Sequence, residues 1–272
     1  MNIRTQSLKL LLAIISILNW LVWERASTLA QLPPAIINQS YSLKVAEGDR
    51  VIFTPPAAKE SRGKPPNTVN GSNRGCGVNE NLVALVPIIE PNSEEKPLWG
   101  LTTKERPTFW VYISNSPGSI ISGKFSLRRW NSENHAEITV YESELTLTNT
   151  PGIISFTLPA TAPPLEINQW YYFYFFINVE CPQNLTPKKL SVQRLIRREE
   201  PNTDLKTQLQ AATLLQQAIL YGKNGFWYDM LKALAELKRT EPKNQQWREV
   251  LRSSGLEKIA SEPIVDCCTP PN

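Results

Sequence analysis

Histidine is nearly missing from this chain: His135 is the only one in 272 residues. Metal sites and nucleophile–base pairs that draw on imidazole therefore lose most of their material. No H-E-x-x-H, G-x-S-x-G or phosphate loop occurs, and Arg74-Gly75-Cys76-Gly77 is too short to cradle a phosphate. The four cysteines show no C-x2-C spacing, so they do not read as a zinc site. These absences predict no cofactor, no metal and no assignable catalytic residue. His135 itself, in Asn134-His135-Ala136, reads as an exposed structural residue at a strand start or loop. After residue 30 no apolar run approaches the roughly 20 residues of a membrane helix, so no span is expected beyond the leader.

That leader is the most informative stretch present. Arg4 and Lys9 precede an apolar run, Leu10 to Trp23, and Thr28-Leu29-Ala30 supplies small residues for cleavage before Gln31. The run is short for an uncleaved anchor, and Glu24 and Arg25 follow it directly. Residues 1–30 thus read as a signal peptide that sends the chain to the periplasm or the cell exterior. Without them the chain holds 26 basic and 24 acidic residues, a net of +2. Near-neutrality gives no broad attraction to nucleic acid or anionic lipid.

Residues 31–75 form an N-terminal segment and a linker. Thr54 to Gly75 is rich in Pro, Gly and Asn and holds no aromatic residue. From residue 76 to 200 the pattern is β. Expected strands are Val83–Ile89, Pro107–Ile113, Lys124–Trp130, Ala136–Tyr141, Ser143–Leu147, Gly152–Pro159, Trp170–Val179 and Leu190–Ile196. Trp170–Val179 is apolar on both faces, which marks a central strand. At Pro201 the period changes to three and four. Asn202 or Thr203 caps a helix carrying Leu205, Leu209, Ala212, Leu215 and Ile219. A turn at Gly222–Gly225 leads to a second helix, Phe226–Lys238, and Gln245–Ser253 makes a third. The fold class read from this is α+β: an antiparallel β-sandwich, jelly-roll or immunoglobulin-like, over 76–200. A helical hairpin, a third helix and a Cys-rich tail over 201–272 dock on it.

Four cysteines in an exported chain are disulfide candidates: Cys76, Cys181, Cys267 and Cys268. Neighbouring Cα atoms stand about 3.8 Å apart, below the usual window of about 4.4–6.8 Å for a bridge. The reading therefore disfavours a Cys267–Cys268 bond and pairs Cys76 and Cys181 each with one member of the doublet, tying the tail to the body.

Three sets of side chains are candidate contacts or catalysts. Trp170, Tyr172 and Tyr174 alternate on one face of the central strand, and an exposed stripe would stack on sugar rings, whereas a buried one is core. Tyr228, if exposed, marks a partner contact, while Trp227 is expected to face the sandwich. Glu166, Glu180 and Asp229 lie near aromatic residues and are the carboxylates from which a glycan-hydrolysing pair would have to come. Lys188, Lys189, Arg194, Arg197 and Arg198 read as a solvated strand edge.

Two resemblances add to this. Tyr221, Gly225, Met230, Leu234, Leu237 and Pro242 fall at spacings similar to one tetratricopeptide helical hairpin, with Met230 where a small residue is usual and Leu214 where a Trp is usual. One repeat cannot bury its own faces, so it should dock on the sandwich. From about residue 74 to the end, the chain resembles the cyanobacterial family of unknown function DUF928. The match runs through Arg74-Gly75-Cys76, Leu85-Val86-Pro87, Pro107-Thr108-Phe109-Trp110, Pro151-Gly152-Ile153, Leu158-Pro159, Pro164-Leu165-Glu166, Tyr171, Tyr172, Cys181-Pro182, Gly225-Phe226-Trp227-Tyr228-Asp229, Leu234-Ala235-Glu236-Leu237, Trp247 and Cys267-Cys268. The resemblance implies an exported cyanobacterial protein and no particular reaction. The function expected is a non-catalytic envelope protein that binds an as yet unidentified envelope protein. A carbohydrate-binding module is the alternative, and a glycan hydrolase comes behind both.

Overall fold

The computed structural model of the protein describes residues 50–56, 82–87, 99–131, 133–180 and 186–268. All of them belong to the larger of two units, Leu43–Asn272. The leader, the segment 31–49, most of the linker, Cys76 and Cys181 lie outside the described residues.

Period-two alternation builds two sheets. The smaller has the order β1 (Leu82–Ala84), β3 (Thr108–Ile113), β6 (Gly152–Thr157), all antiparallel. The larger has the order β2 (Trp99–Thr102), β8 (Lys188–Arg198), β7 (Trp170–Val179), β4 (Ile120–Asn131), β5 (Ala136–Leu145). Every neighbouring pair in it is antiparallel except β2–β8. Phe109 of β3 lies 4.9 Å from Phe125 of β4 and 4.7 Å from Phe173 of β7, and Phe125 lies 4.4 Å from Phe156 of β6. These tilted rings join the inner faces of the two sheets. Such pairs add about 0.5–1.5 kcal/mol each beyond the area they bury. Strand β7 is central, as its two apolar faces predicted, with β4 on one side and β8 on the other.

The structure departs from the sequence reading in several places. Ala136–Leu145 is one strand, not two, and it pairs with β4 along its length. Leu127 faces Tyr141 but Arg128 faces Thr139, so Val140 is an extra residue, a bulge that hides the alternation. Strand β2 went unseen because four residues around Gly100 are too few to show a period. Its parallel pairing makes β8 an interior strand, so the basic residues of β8 are not an edge device. Arg194 sits opposite Phe173 on the inner face, where burial pushes its guanidinium down to about 10. Arg198 donates to the Leu165 carbonyl at 2.8 Å.

Four helices follow the sheets: α1 (Thr203–Gln210), α2 (Leu214–Lys223), α3 (Trp227–Thr240) and α4 (Gln246–Ser253). The Asn202 side chain accepts from the Leu205 amide and caps α1. The apolar set from Leu205 to Ile219 is split between α1 and α2, because Thr213 and Gln216 form a reciprocal capping box that starts a new helix. Helix α2 ends at Gly225, φ +79°, where the Phe226 amide donates to the Tyr221 carbonyl and the Gly225 amide to that of Gly222. This is a Schellman turn, and its left-handed residue explains the glycine.

The first turn of α3 then enters between the sheets. The Trp227 indole nitrogen donates to the Leu85 carbonyl beyond β1 at 2.8 Å, and the Tyr228 hydroxyl donates to the Leu195 carbonyl in β8 at 3.1 Å. The Tyr228 ring is 5.9 Å from Phe109 and 6.2 Å from Phe173. Farther along, Trp247 of α4 stands 5.6 Å from Trp110 of β3. Residues 50–56 cross the helices. The Thr54 amide bonds the Gly222 carbonyl, the Val51 amide bonds the Gln246 side chain, and Phe53 meets Trp227 at 4.9 Å.

The tail is held by backbone pairing, not by bridges to the body. Ile153 donates to Pro263 and Val265 donates to Ile153, so residues 263–265 extend the sheet beyond β6. The expected cysteine pairing is also corrected, since Cys267 and Cys268 are bonded to each other with Cα atoms 3.7 Å apart. That separation lies below the usual window of about 4.4–6.8 Å on which the expectation rested. Here a left-handed turn at Cys268, φ +68°, lets adjacent side chains meet.

Two measurements check this arrangement. A Cβ on Gly100 would stand 2.8 Å from a Tyr228 ring carbon, whereas one on Gly118 would meet nothing within 4 Å. Gly100→Ala should cost about 1–3 kcal/mol in urea unfolding, and Gly118→Ala much less. Equal effects would contradict the close approach of β2 to α3. Non-reducing peptide mapping should find Cys267 and Cys268 in one self-bonded peptide, and a crosslink from either to Cys76 or Cys181 would refute the vicinal bond.

Candidate functional site

The outer face of the five-stranded sheet carries the most distinctive surface. Along β7 the outward residues are Trp170, Tyr172, Tyr174, Phe176 and Asn178. Trp170, Tyr174 and Phe176 are half-buried, while Tyr172 is only 3% exposed. Tyr174 and Phe176 are stacked, with centroids 5.6 Å apart and planes 3° from parallel. Register brings a cation to each half-buried ring. Arg128 of β4 lies 4.8 Å from the Tyr174 centroid, Lys189 of β8 lies 4.4 Å from Phe176, and Arg197 of β8 lies 5.5 Å from Trp170. Each such contact contributes about 0.5–1 kcal/mol at an exposed site.

Carboxylates from β5 close the network. The Tyr174 hydroxyl donates to Glu137 at 2.7 Å, and Arg128 lies 3.5 Å from Glu137 and 3.6 Å from Glu142. Lys124 meets Glu142 at 2.6 Å and is the main reason that carboxyl is held below the usual range. Burial first, then the Glu137 carboxylate, pushes the Tyr174 phenol upward, so it stays a hydrogen-bond donor at neutral pH. The face is thus a fixed mosaic of rings and paired charges.

Of the residues proposed from sequence, Trp170 and Tyr174 belong to this strip and Tyr172 lies beneath it. Tyr228 does not belong: it is 1% exposed and bonded to Leu195 in the core. Phe176 was missed, although it is the next residue of the same alternation. The cations above the rings come from neighbouring strands, and a single-strand pattern carries no sign of them.

The carboxylates considered for catalysis are scattered. Glu166 precedes β7 and Glu180 follows it, and a ten-residue strand separates their backbones by about 30 Å. Asp229 is fully buried, and its two oxygens accept from the Thr103 amide at 3.0 Å and the Thr103 hydroxyl at 2.7 Å. It clasps the β2–β3 turn to α3. Beside it is a cavity of about 210 Å³, bordered by Lys104, Tyr221, Lys232 and Glu236. His135 is exposed in the β4–β5 turn with φ +51°. Among the described residues no group of three His, Cys, Asp or Glu could hold a metal ion. No described helix is long and apolar enough to cross a membrane.

A family model of the Domain of Unknown Function DUF928 matches residues 60–264. That span covers most of the chain and includes both sheets and all four helices, so the protein belongs to this family. No curated protein matches it.

Asp229 generates a pH prediction. Burial, outweighing the Thr103 bonds, raises its pKa above the ordinary aspartate value. The folded state therefore holds this proton more tightly than the unfolded chain, and the associated stability is lost as pH rises through the raised value. Asp229→Asn lacks that loss. Its destabilisation in urea should be largest at acidic pH and shrink toward neutrality. A cost that grows with pH would show that the Thr103 bonds, not burial, dominate.

Proposed function

We propose that this protein is an exported, non-catalytic module of the cyanobacterial cell envelope that binds another envelope protein through the outer face of its five-stranded sheet. The observation that carries the reading is the half-buried row Trp170, Tyr174 and Phe176 with a cation at each ring. Tyr, Trp and Arg are the residues that concentrate binding energy in protein interfaces, because they present large rigid surfaces with polar tips. The leader supports the destination, and the near-neutral charge after its removal fits a protein partner better than a polyanion.

The alternative, a carbohydrate-binding module, uses the same strip as a stacking platform. It is the weaker reading because sugar stacking needs open ring faces and Arg128, Lys189 and Arg197 already occupy one side of each ring.

Crosslinking of the full chain in its native envelope should capture a protein partner. Phe176→Ala and Arg128→Ala should each weaken that capture several-fold without unfolding the sheet, since interface truncations of this kind cost about 1–2 kcal/mol. A glycan array on wild type and Trp170→Ala should be flat. A Trp170-dependent glycan signal with no protein captured would replace this proposal with the alternative. The envelope-derived polypeptide should begin at Gln31, and recovery with residues 1–30 intact would contradict the leader reading.

A further inference from the structure

The edges of the two sheets are treated differently. Edge β6 is covered by the chain's own residues 263–265. Edge β1 has three residues and edge β2 has four, with Gly100 of β2 packed on Trp227 and Tyr228. Edge β5 has ten residues, no proline, no lysine and no arginine, and among the described residues nothing pairs with its far side. Folded proteins usually shorten, cover, bend or charge such an edge, because its free N–H and C=O groups template another strand. The charge on β5 is all acidic, which repels acidic strands and leaves basic ones admissible. A single bulge at Val140 is the only interruption here.

The two faces of β5 differ in chemistry. Register places Glu144 opposite Lys124, Glu142 opposite Ser126, Thr139 opposite Arg128 and Glu137 opposite Trp130, so three carboxylates line the outer face. On the inner face Tyr141 opposes Leu127 and Ile138 opposes Arg129. Tyr141 is half-buried, with its ring 6.5 Å from Phe125, and Ile138 is half-buried too. Glu137 is engaged by Tyr174 and Arg128, and Glu142 is shared with Lys124. A strand laid along β5 would therefore meet Glu144 and Glu142 with one set of alternate side chains and a partly open apolar margin with the other.

We propose that β5 is a strand-addition site whose occupant is an extended segment of a partner protein, alternating basic and aliphatic residues, with the basic side chains on the outer face. Backbone pairing supplies attachment, and the alternation supplies selectivity. A second copy of this chain is a poor occupant, because β5 against β5 sets one row of glutamates against another. The inference rests on the interaction reading above and specifies how the partner is gripped.

The test uses the full chain and a capped ten-residue peptide of alternating Lys and Val. Controls are a Glu–Val alternation and the Lys–Val composition rearranged into two blocks. Backbone amides of 136–145 should gain hydrogen-exchange protection with the alternating Lys–Val peptide only. Glu142→Lys with Glu144→Lys should weaken that peptide about tenfold and admit the Glu–Val peptide instead, since two cross-strand pairs change sign. Both side chains are substantially exposed, and the peptide controls need no variant at all. Protection elsewhere, equal binding of the block peptide, no binding, or dimerisation through β5 overturns the proposal. Crosslinks from a captured partner that fall outside 136–145 defeat the edge and leave the interaction reading standing. Pairing at β5 with no partner captured in the envelope defeats that reading alone.

Discussion

The structure depends on one turn of helix. Trp227, Tyr228 and Asp229 each make a hydrogen bond to a different piece of the β layer: the Leu85 carbonyl, the Leu195 carbonyl and the Thr103 amide and hydroxyl. All three side chains are essentially excluded from water, where an unmade bond costs about 1–3 kcal/mol. None of the three can be withdrawn without leaving a polar group stranded in both the helix and the sheets. The neighbouring glycines follow from this. Gly225 supplies the left-handed turn that aims the segment, and Gly100 lets β2 pass close beneath it.

The two faces of β7 show how one strand serves two purposes. Tyr171, Phe173, Phe175, Ile177 and Val179 vanish into the core. The outward row mixes the rings of Trp170 and Phe176 with the Tyr172 and Tyr174 hydroxyls and the Asn178 amide, and it is covered by charged side chains from β4 and β8. That covering keeps large rings at the surface without creating the open apolar patch that drives aggregation. The glutamates of β5 in turn neutralise the nearest cations, so the face is charged in detail and nearly neutral in sum.

Much of this was legible in the residues, and the failures share a cause. Strand β7 declared itself by apolar residues on both faces, and helix α3 by its spacing. Local patterns report on the segment that contains them. They missed β2, which is recognisable only through its partner β8, and they split β5, whose continuity is a property of its pairing with β4. Thr213 looked like an ordinary helix residue until Gln216 was seen to reach back to it. Tyr228 was a candidate contact only if exposed, and nothing near it in the chain predicts Leu195 as its partner. The ring–cation contacts are invisible for the same reason, since register between strands is not written in any one of them. The cysteine doublet was misjudged because its Cα separation falls outside the usual range on which the reading relied.

The tethers between helix and sheets join residues very far apart in the chain, 142 positions for Trp227 to Leu85 and 126 for Asp229 to Thr103. The cover on β6 arrives later still. A ribosome that has finished every strand has therefore not yet supplied the pieces that seal them. The nascent chain passes through a stage with complete strands and incomplete closure, and only the last quarter of the polypeptide ends it. Topology of this kind slows folding, because contacts between distant parts of the chain must close before they stabilise anything.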